Sequence, residues 1–96
     1  MELKKVVPAR DGVHKYKAVF EKDDGRTKTT AFGAAGMSDY TQHHDEARRA
    51  RYLQRHRANE NWSDPTSAGS LSKHLLWGES TSLVRNLAAF RKKFGL

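Results

Sequence analysis

Alternation of apolar and polar side chains is clearest from residue 13 to residue 20. Lysines occupy one side of this segment, whereas the other side carries His14, Tyr16, Ala18 and Phe20. Because successive side chains of a β-strand point to opposite faces, a period of two predicts a strand with one buried face.

Turn-forming residues follow this strand. The segment Glu21–Gly25 reads EKDDG, in which Gly25 can take a positive φ, and Thr27 to Phe32 is again of extended type. We therefore predict an antiparallel β-hairpin over residues 13 to 32. A shorter strand is predicted from Leu3 to Val7, because Pro8 lacks the N–H that an interior strand would need.

Helical spacing and capping residues predict three helices after the hairpin. Asp39 or Thr41 can cap the first helix, Asp64-Pro65 is typical of a helix start, and Ser80 or Thr81 can begin the last helix, which ends at Gly95. The predicted ranges are 42–58, 65–77 and 81–93. The fold class is therefore α+β, with a small N-terminal antiparallel hairpin or meander followed by three helices.

Apolar residues for a core are few. The hydrophobic fraction is 36% and the mean hydropathy is -0.86 in 96 residues, which is the size of one small domain. On the first helix, Ala47, Ala50 and Leu53 are predicted to pack on the sheet. In the later helices the predicted core residues are Leu71, Leu75, Leu87 and Phe90, joined by Trp62 and Trp77 at helix ends.

Basic residues dominate the charge. Eighteen Lys and Arg against eleven Asp and Glu give a net charge of +7, which attracts phosphate polymers or acidic proteins. The absence of cysteine excludes disulfides and thiolate metal sites. Apolar runs are far shorter than the ~20 residues that cross a bilayer, so we expect an intracellular or particle-packaged protein without membrane contact.

The first predicted helix carries a basic stripe. His44, Arg48, Arg51 and Arg55 recur at i, i+4, i+7 and i+11, the spacing of one helix face. The last helix adds Arg91, Lys92 and Lys93. These side chains could bind phosphates, bind a protein partner, or form a solvated face in which the arginines pair with Asp45, Glu46 or Glu60. The charge pattern leaves all three interpretations open.

Enzymatic and cofactor motifs are weak. Gly33-Ala34-Ala35-Gly36 lacks the Lys-Ser or Lys-Thr of a P-loop and is interpreted as a strand-to-helix connection. His43 and His56 lie about 18 Å apart along one helix, too far to share a metal ion. We therefore expect a protein without catalysis, metal, cofactor or small-molecule substrate.

Several motifs together resemble one family. KYKAVF, DDG, FGAAGMSDYT, the run Arg48/Arg51-Tyr52/Arg55-His56, NENW and SAGSLSKHLLWG are similar, over residues 14 to 96, to short basic proteins encoded by large DNA viruses of algae and amoebae. The resemblance implies one recurrent polar constellation, which is either a hydrogen-bonded structural network or a recognition site: Asp39, His43, Tyr52, His56, Glu60 and Trp62.

A viral setting narrows the expected function. We expect a small non-enzymatic viral protein that binds nucleic acid through phosphates, with His44, the three arginines of the stripe and the basic residues 91–93 as contacts. The alternative is a minor capsid or cement protein that docks on an acidic protein surface. Either protein would be found inside the infected cell or packaged in the virion.

Overall fold

Three antiparallel strands form the N-terminal part of the fold. The computed structural model describes residues 1–96. The strands β1 (Glu2–Pro8), β2 (His14–Glu21) and β3 (Thr27–Ala34) form one sheet in the order β1-β2-β3. The predicted hairpin and the short first strand are therefore confirmed, and together they make the meander.

The hairpin register follows the predicted alternation. Ala18 and Phe20 are fully buried, whereas Val19 between them is only partly buried. Gly25 turns the chain with φ +85°, a conformation that strongly favours glycine. An irregularity between Leu3 and Lys5 interrupts the β1–β2 pairing.

Helices occupy the rest of the chain. They are α1 (Tyr40–His43), α2 (Glu46–Arg57), α3 (Ala68–Leu71), which continues into a π-helical turn (Ser72–Leu76), and α4 (Leu83–Phe94). This layout confirms the α+β class. None of the helices is both long enough and apolar enough to span a bilayer.

The prediction of one helix from 42 to 58 is wrong. The chain breaks at His44, which has a left-handed φ of 55°. Asp45 then starts α2, because its side chain accepts hydrogen bonds from the N–H groups of Ala47 and Arg48. A carboxylate that caps in this way competes with continuation of the preceding helix.

The predicted start of the second helix is also wrong. Asp64 Oδ1 accepts hydrogen bonds from the N–H and the hydroxyl of Thr66, which forms a turn rather than a helix. Ser67 is the N-cap instead, and its side chain accepts from the N–H of Ser70. The helix consequently begins at Ala68.

One core joins the sheet to α3 and α4. Leu71, Leu75 and Phe90 are buried as predicted and Leu87 is half-buried. The full set of buried apolar residues is Leu3, Ala18, Phe20, Phe32, Tyr40, Tyr52, Leu71, Leu75, Leu76, Trp77 and Phe90. Trp62, predicted to belong to the core, is only half-buried.

The predicted packing face of α2 is wrong. Ala47 and Ala50 are exposed, and Leu53 is only half-buried. The buried residue of α2 is Tyr52, whose large ring removes more apolar area from water than an alanine does.

His74, on the π-helical turn, is held as a neutral ring against α4. Its ring centroid lies 5.7 Å from that of Phe90 and 5.3 Å from that of Phe94, and its Nε2 has no hydrogen-bond partner. Burial, assisted by the charge of Lys73, lowers the pKa of His74 from 6.5 to about 4. A folded-state pKa below the unfolded value means that protonation favours unfolding.

Acidification should therefore destabilise the fold through this ring. The contribution of the neutral His74 ring to the free energy of unfolding is complete above pH 6.5 and should be lost as the pH falls toward about 4. Allowing for partial solvent access, we expect a loss of about 1 to 3 kcal/mol. Urea unfolding of the wild type and of His74→Phe at about pH 7 and about pH 4 measures it, and the variant should lose less stability. Parallel losses in both proteins would contradict the assignment.

Candidate anion-binding groove

A groove lies between α2 and the parts of the chain that face it. One wall is α2, and the other is formed by residues 33–39 and by residues 68–77 of α3 and its π-helical turn. The groove, called groove one below, has a volume of about 600 Å³. Gly33 permits close approach at its base, since a Cβ there would lie 2.8 Å from a methyl carbon of Leu76.

Three arginines of α2 line groove one. Arg48 is half-buried, and Arg51 and Arg55 are exposed. No carboxylate oxygen lies within 4.0 Å of any of these three guanidinium groups. The three arginines therefore do not pair with Asp45, Glu46 or Glu60, as one of the three interpretations required.

Both carboxylates of groove one already have partners. Asp39 forms an ion pair with Lys15 and caps α1 through the N–H of Thr41. Glu60 lies 3.3 Å from Nδ1 of His56 and accepts a hydrogen bond from Nε1 of Trp62 at 3.1 Å. The acids of the groove thus leave the arginine charges uncompensated.

Stacked rings form the apolar part of groove one. Tyr52 lies parallel to Trp77, with centroids 4.1 Å apart and 3° between planes, and His56 stacks at 4.1 Å from the ring of Tyr52. Burial, followed by the charge of Glu60, raises the pKa of Tyr52 to about 12. Its hydroxyl stays protonated at neutral pH and adds no negative charge to the groove.

The predicted polar constellation is one continuous chain of contacts. The N–H of His43 donates to the Asp39 carbonyl at 3.0 Å, and the His43 ring lies 5.2 Å from Trp77. Trp77 in turn stacks on Tyr52, and Tyr52 stacks on His56. His56 contacts Glu60, which accepts the hydrogen bond from Trp62. Burial and the charge of Arg48 lower the pKa of His43, whose Nε2 has no hydrogen-bond partner.

The other predicted contact residues lie outside groove one. His44 is exposed at the end of α1, where a ring nitrogen is 3.2 Å from the Thr41 carbonyl oxygen. Arg91 donates from Nη2 to the carbonyl of Leu3 at 3.0 Å and so ties α4 to β1. Lys92 is exposed, and Lys93 lies over the ring of Phe94. The predicted single surface is thus divided.

The sequence did not indicate that Lys15 and Met37 would line groove one. Lys15 lies on β2 and reaches Asp39 and Gln42 across the end of the sheet. Met37 is 64% exposed in the turn before α1 and lines the groove. The alternating lysines of β2 indicated a charged face on that strand, but nothing in the sequence distinguished Lys15 from Lys17.

No group of three or more His, Asp or Glu side chains is placed so that it could hold a metal ion.

The sequence matches a known family. Residues 4–56 match DUF5754, a family of unknown function, and the chain belongs to that family. The match covers most of the sheet, α1 and most of α2, including all three arginines of groove one. Comparisons with curated proteins and with solved structures gave no match.

Proposed function

We propose that this chain is a small non-enzymatic viral protein that binds nucleic acid through phosphate contacts in groove one. The observation that carries the proposal is the set of three guanidinium groups without carboxylate partners beside two acids that already have partners. Guanidinium groups bind phosphate oxygens in pairs of parallel hydrogen bonds, which makes arginine well suited to this ligand.

The spacing of the arginines fits a nucleic-acid backbone. Arg48 and Arg55 are seven residues apart on a regular helix, a rise of about 10 Å. That distance corresponds to about three base pairs along a duplex, each of about 3.4 Å. A short run of phosphates could therefore be contacted without bending the nucleic acid.

The aromatic geometry supports binding that is independent of sequence. Tyr52 is sandwiched between Trp77 and His56, so neither of its faces is free to stack on a base. Base stacking and base-edge contacts would be the sources of sequence preference. With phosphates as the main contacts, unrelated sequences should bind with similar affinity.

The viral setting is supported by the motif resemblance described above. A viral protein of this kind would act inside the infected cell or be packaged in the virion, where a small basic protein would contact the genome. The net charge of +7 supports this role, since long-range attraction raises the association rate with a polyanion.

A minor capsid or cement protein is the second candidate. Met37, an exposed apolar side chain at groove one, favours it, because methionine and arginine are both enriched at protein interfaces. In that case the arginines would dock on acidic side chains of a capsid component. Recovery of one stoichiometric capsid protein in a pull-down from purified particles would support this candidate.

Salt dependence is the test of the proposed function. Fluorescence anisotropy with two unrelated DNA duplexes and one RNA hairpin should give similar affinities, in the low micromolar range at low salt. Each affinity should fall steeply between about 50 mM and 200 mM salt, because phosphate contacts release counterions. Absence of binding to all three probes at low salt would overturn the proposal.

A further inference from the structure

A second basic groove lies on another side of α2. It is formed by Arg49 of α2, by Lys73 and His74 of the π-helical turn, by residues 78–80, and by α4 from Arg85 to Lys93. Its volume is about 450 Å³. This groove, called groove two below, is separate from groove one, and Lys93 is the one predicted contact residue that lines it.

Groove two has a strong excess of positive charge. Four cationic side chains line it, against the single carboxylate of Glu79: Arg49, Lys73, Arg85 and Lys93. None of the four has a carboxylate oxygen within 4.0 Å. Burial, followed by the charges of Lys93 and Arg49, lowers the pKa of Lys73, as expected where like charges converge.

The Asn86 amide, which lines groove two, is already fully hydrogen-bonded. The Asn86 amide donates to the carbonyls of Leu75 and Ser80, at 3.0 Å and 2.7 Å, and its oxygen accepts from the N–H of Ser80. These bonds fix the base of the groove. Apart from Nε2 of His74, the groups left to bind a ligand are the ammonium groups of Lys73 and Lys93 and the guanidinium groups of Arg49 and Arg85, of which only Nε of Arg49 is already hydrogen-bonded. These cations select an anion.

Arg49 separates the two grooves. Its Nε donates to the carbonyls of Trp77 and Gly78, both at 3.0 Å, and this contact joins α2 to the chain between the grooves. The two grooves have no lining residue in common. Arg48 and Arg49 are adjacent in sequence, so their side chains point about 100° apart around the helix axis. Arg48 lines groove one and Arg49 lines groove two.

We propose that groove two is a second phosphate-binding site, and that the domain thereby joins two separate segments of nucleic acid. The proposal rests on the proposed function of groove one. A single duplex is a poor ligand for both grooves, because the domain measures only 42 × 29 × 25 Å whereas DNA has a persistence length of about 50 nm. Two segments can each occupy one groove without bending.

A bridging assay tests the second site. A bead-bound duplex is mixed with the full-length protein and a fluorescent duplex of unrelated sequence, and the captured fluorescence is measured alongside the binding of each duplex alone. Three triple variants, each with three positive charges removed, are compared. The groove one variant is R48Q/R51Q/R55Q and the groove two variant is K73Q/R85Q/K93Q. The control is K5Q/K22Q/R26Q, at exposed residues outside both grooves.

The wild type and the control should bridge duplexes, and excess protein should abolish bridging by saturating each duplex separately. Each groove variant should still bind a single duplex through its remaining groove, more weakly in the case of the groove one variant. At protein concentrations that saturate the first duplex, each should capture at least about tenfold less of the second one. Thermal melts of all the variants establish that they remain folded.

Three results would overturn the inference in distinguishable ways. If the groove two variant bridges as well as the wild type, two copies joined through another surface are responsible and groove two is not a site. If the wild type binds single duplexes but never bridges them, the second site is refuted while the proposed function stands. If the wild type binds no duplex at low salt, the proposed function fails and the second site fails with it.

Discussion

Replacing Leu75 by Ala is expected to lower the free energy of unfolding by about 2 to 5 kcal/mol. Leu75 is fully buried in the core and lies on the π-helical turn against which α4 packs. The substitution removes buried methyl groups and leaves a cavity that rigid neighbours cannot fill completely. For a domain of this size the loss would be a large part of a total of about 5 to 15 kcal/mol.

Urea unfolding measures the effect, with α4 supplying the comparison. Val84 is 77% exposed, so Val84→Ala should change stability by less than about 0.5 kcal/mol. Leu87→Ala, at a half-buried position, should give an intermediate loss. A loss below about 0.5 kcal/mol for Leu75→Ala would contradict the packing of α4 on the π-helical turn.

Local sequence patterns predicted the sheet well. The alternation in β2 and the turn at Gly25 involve neighbours in the chain, so the signal and the structure it predicts lie within the same twenty residues. The irregularity between Leu3 and Lys5 is different, since it depends on how β1 adjusts to β2 in the folded sheet.

Helix boundaries were less predictable, because the sequence offers several capping residues close together. Asp39 and Asp45 both cap, so two helices form where one was predicted. The position of the Asp39 cap also involves a contact distant in sequence. Lys15 on β2 holds Asp39 in place, twenty-four residues away. Asp64 and Ser67 present the same ambiguity before α3, and the turn at Asp64 decides it.

The candidate site was predictable on one side only. Helical spacing correctly placed Arg48, Arg51 and Arg55 along one face of α2, because that relation is internal to a helix. The opposite wall of groove one comes from segments distant in sequence, and the Tyr52–Trp77 stack joins two of them. Residue spacing could not predict that stack.

The acids near the arginines have other partners, all close to them in sequence. One of the three interpretations left open by the sequence paired the arginines with Asp45, Glu46 or Glu60. Asp45 instead caps α2 through backbone N–H groups, and Glu60 turns toward His56 and Trp62. Backbone capping and a ring N–H compete effectively for a carboxylate because exposed ion pairs contribute little stability.

Neutralising the three arginines of groove one should weaken duplex binding about 10- to 100-fold at low salt. The substitutions are R48Q/R51Q/R55Q, which keep part of each aliphatic stem while removing the charges. The estimate assumes about 0.5 to 1 kcal/mol for each exposed contact, and each 1.4 kcal/mol corresponds to a factor of ten. The folded core should be unaffected, since none of the three guanidinium groups has an ion-pair partner to lose.

The salt dependence separates contact loss from general charge loss. If each arginine contacts one phosphate, the slope of log affinity against log salt should become shallower by about 2 to 3, because about 0.9 counterions are released for each contact. The control K5Q/K22Q/R26Q loses the same charge at exposed positions outside both grooves. Its slope should therefore differ less from that of the wild type than the slope of the groove one variant does. Equal changes in slope for the two variants would mean that α2 makes no specific contact with the phosphates. In that case the duplex would be bound through another surface, and the arginines of groove one would not be the phosphate contacts.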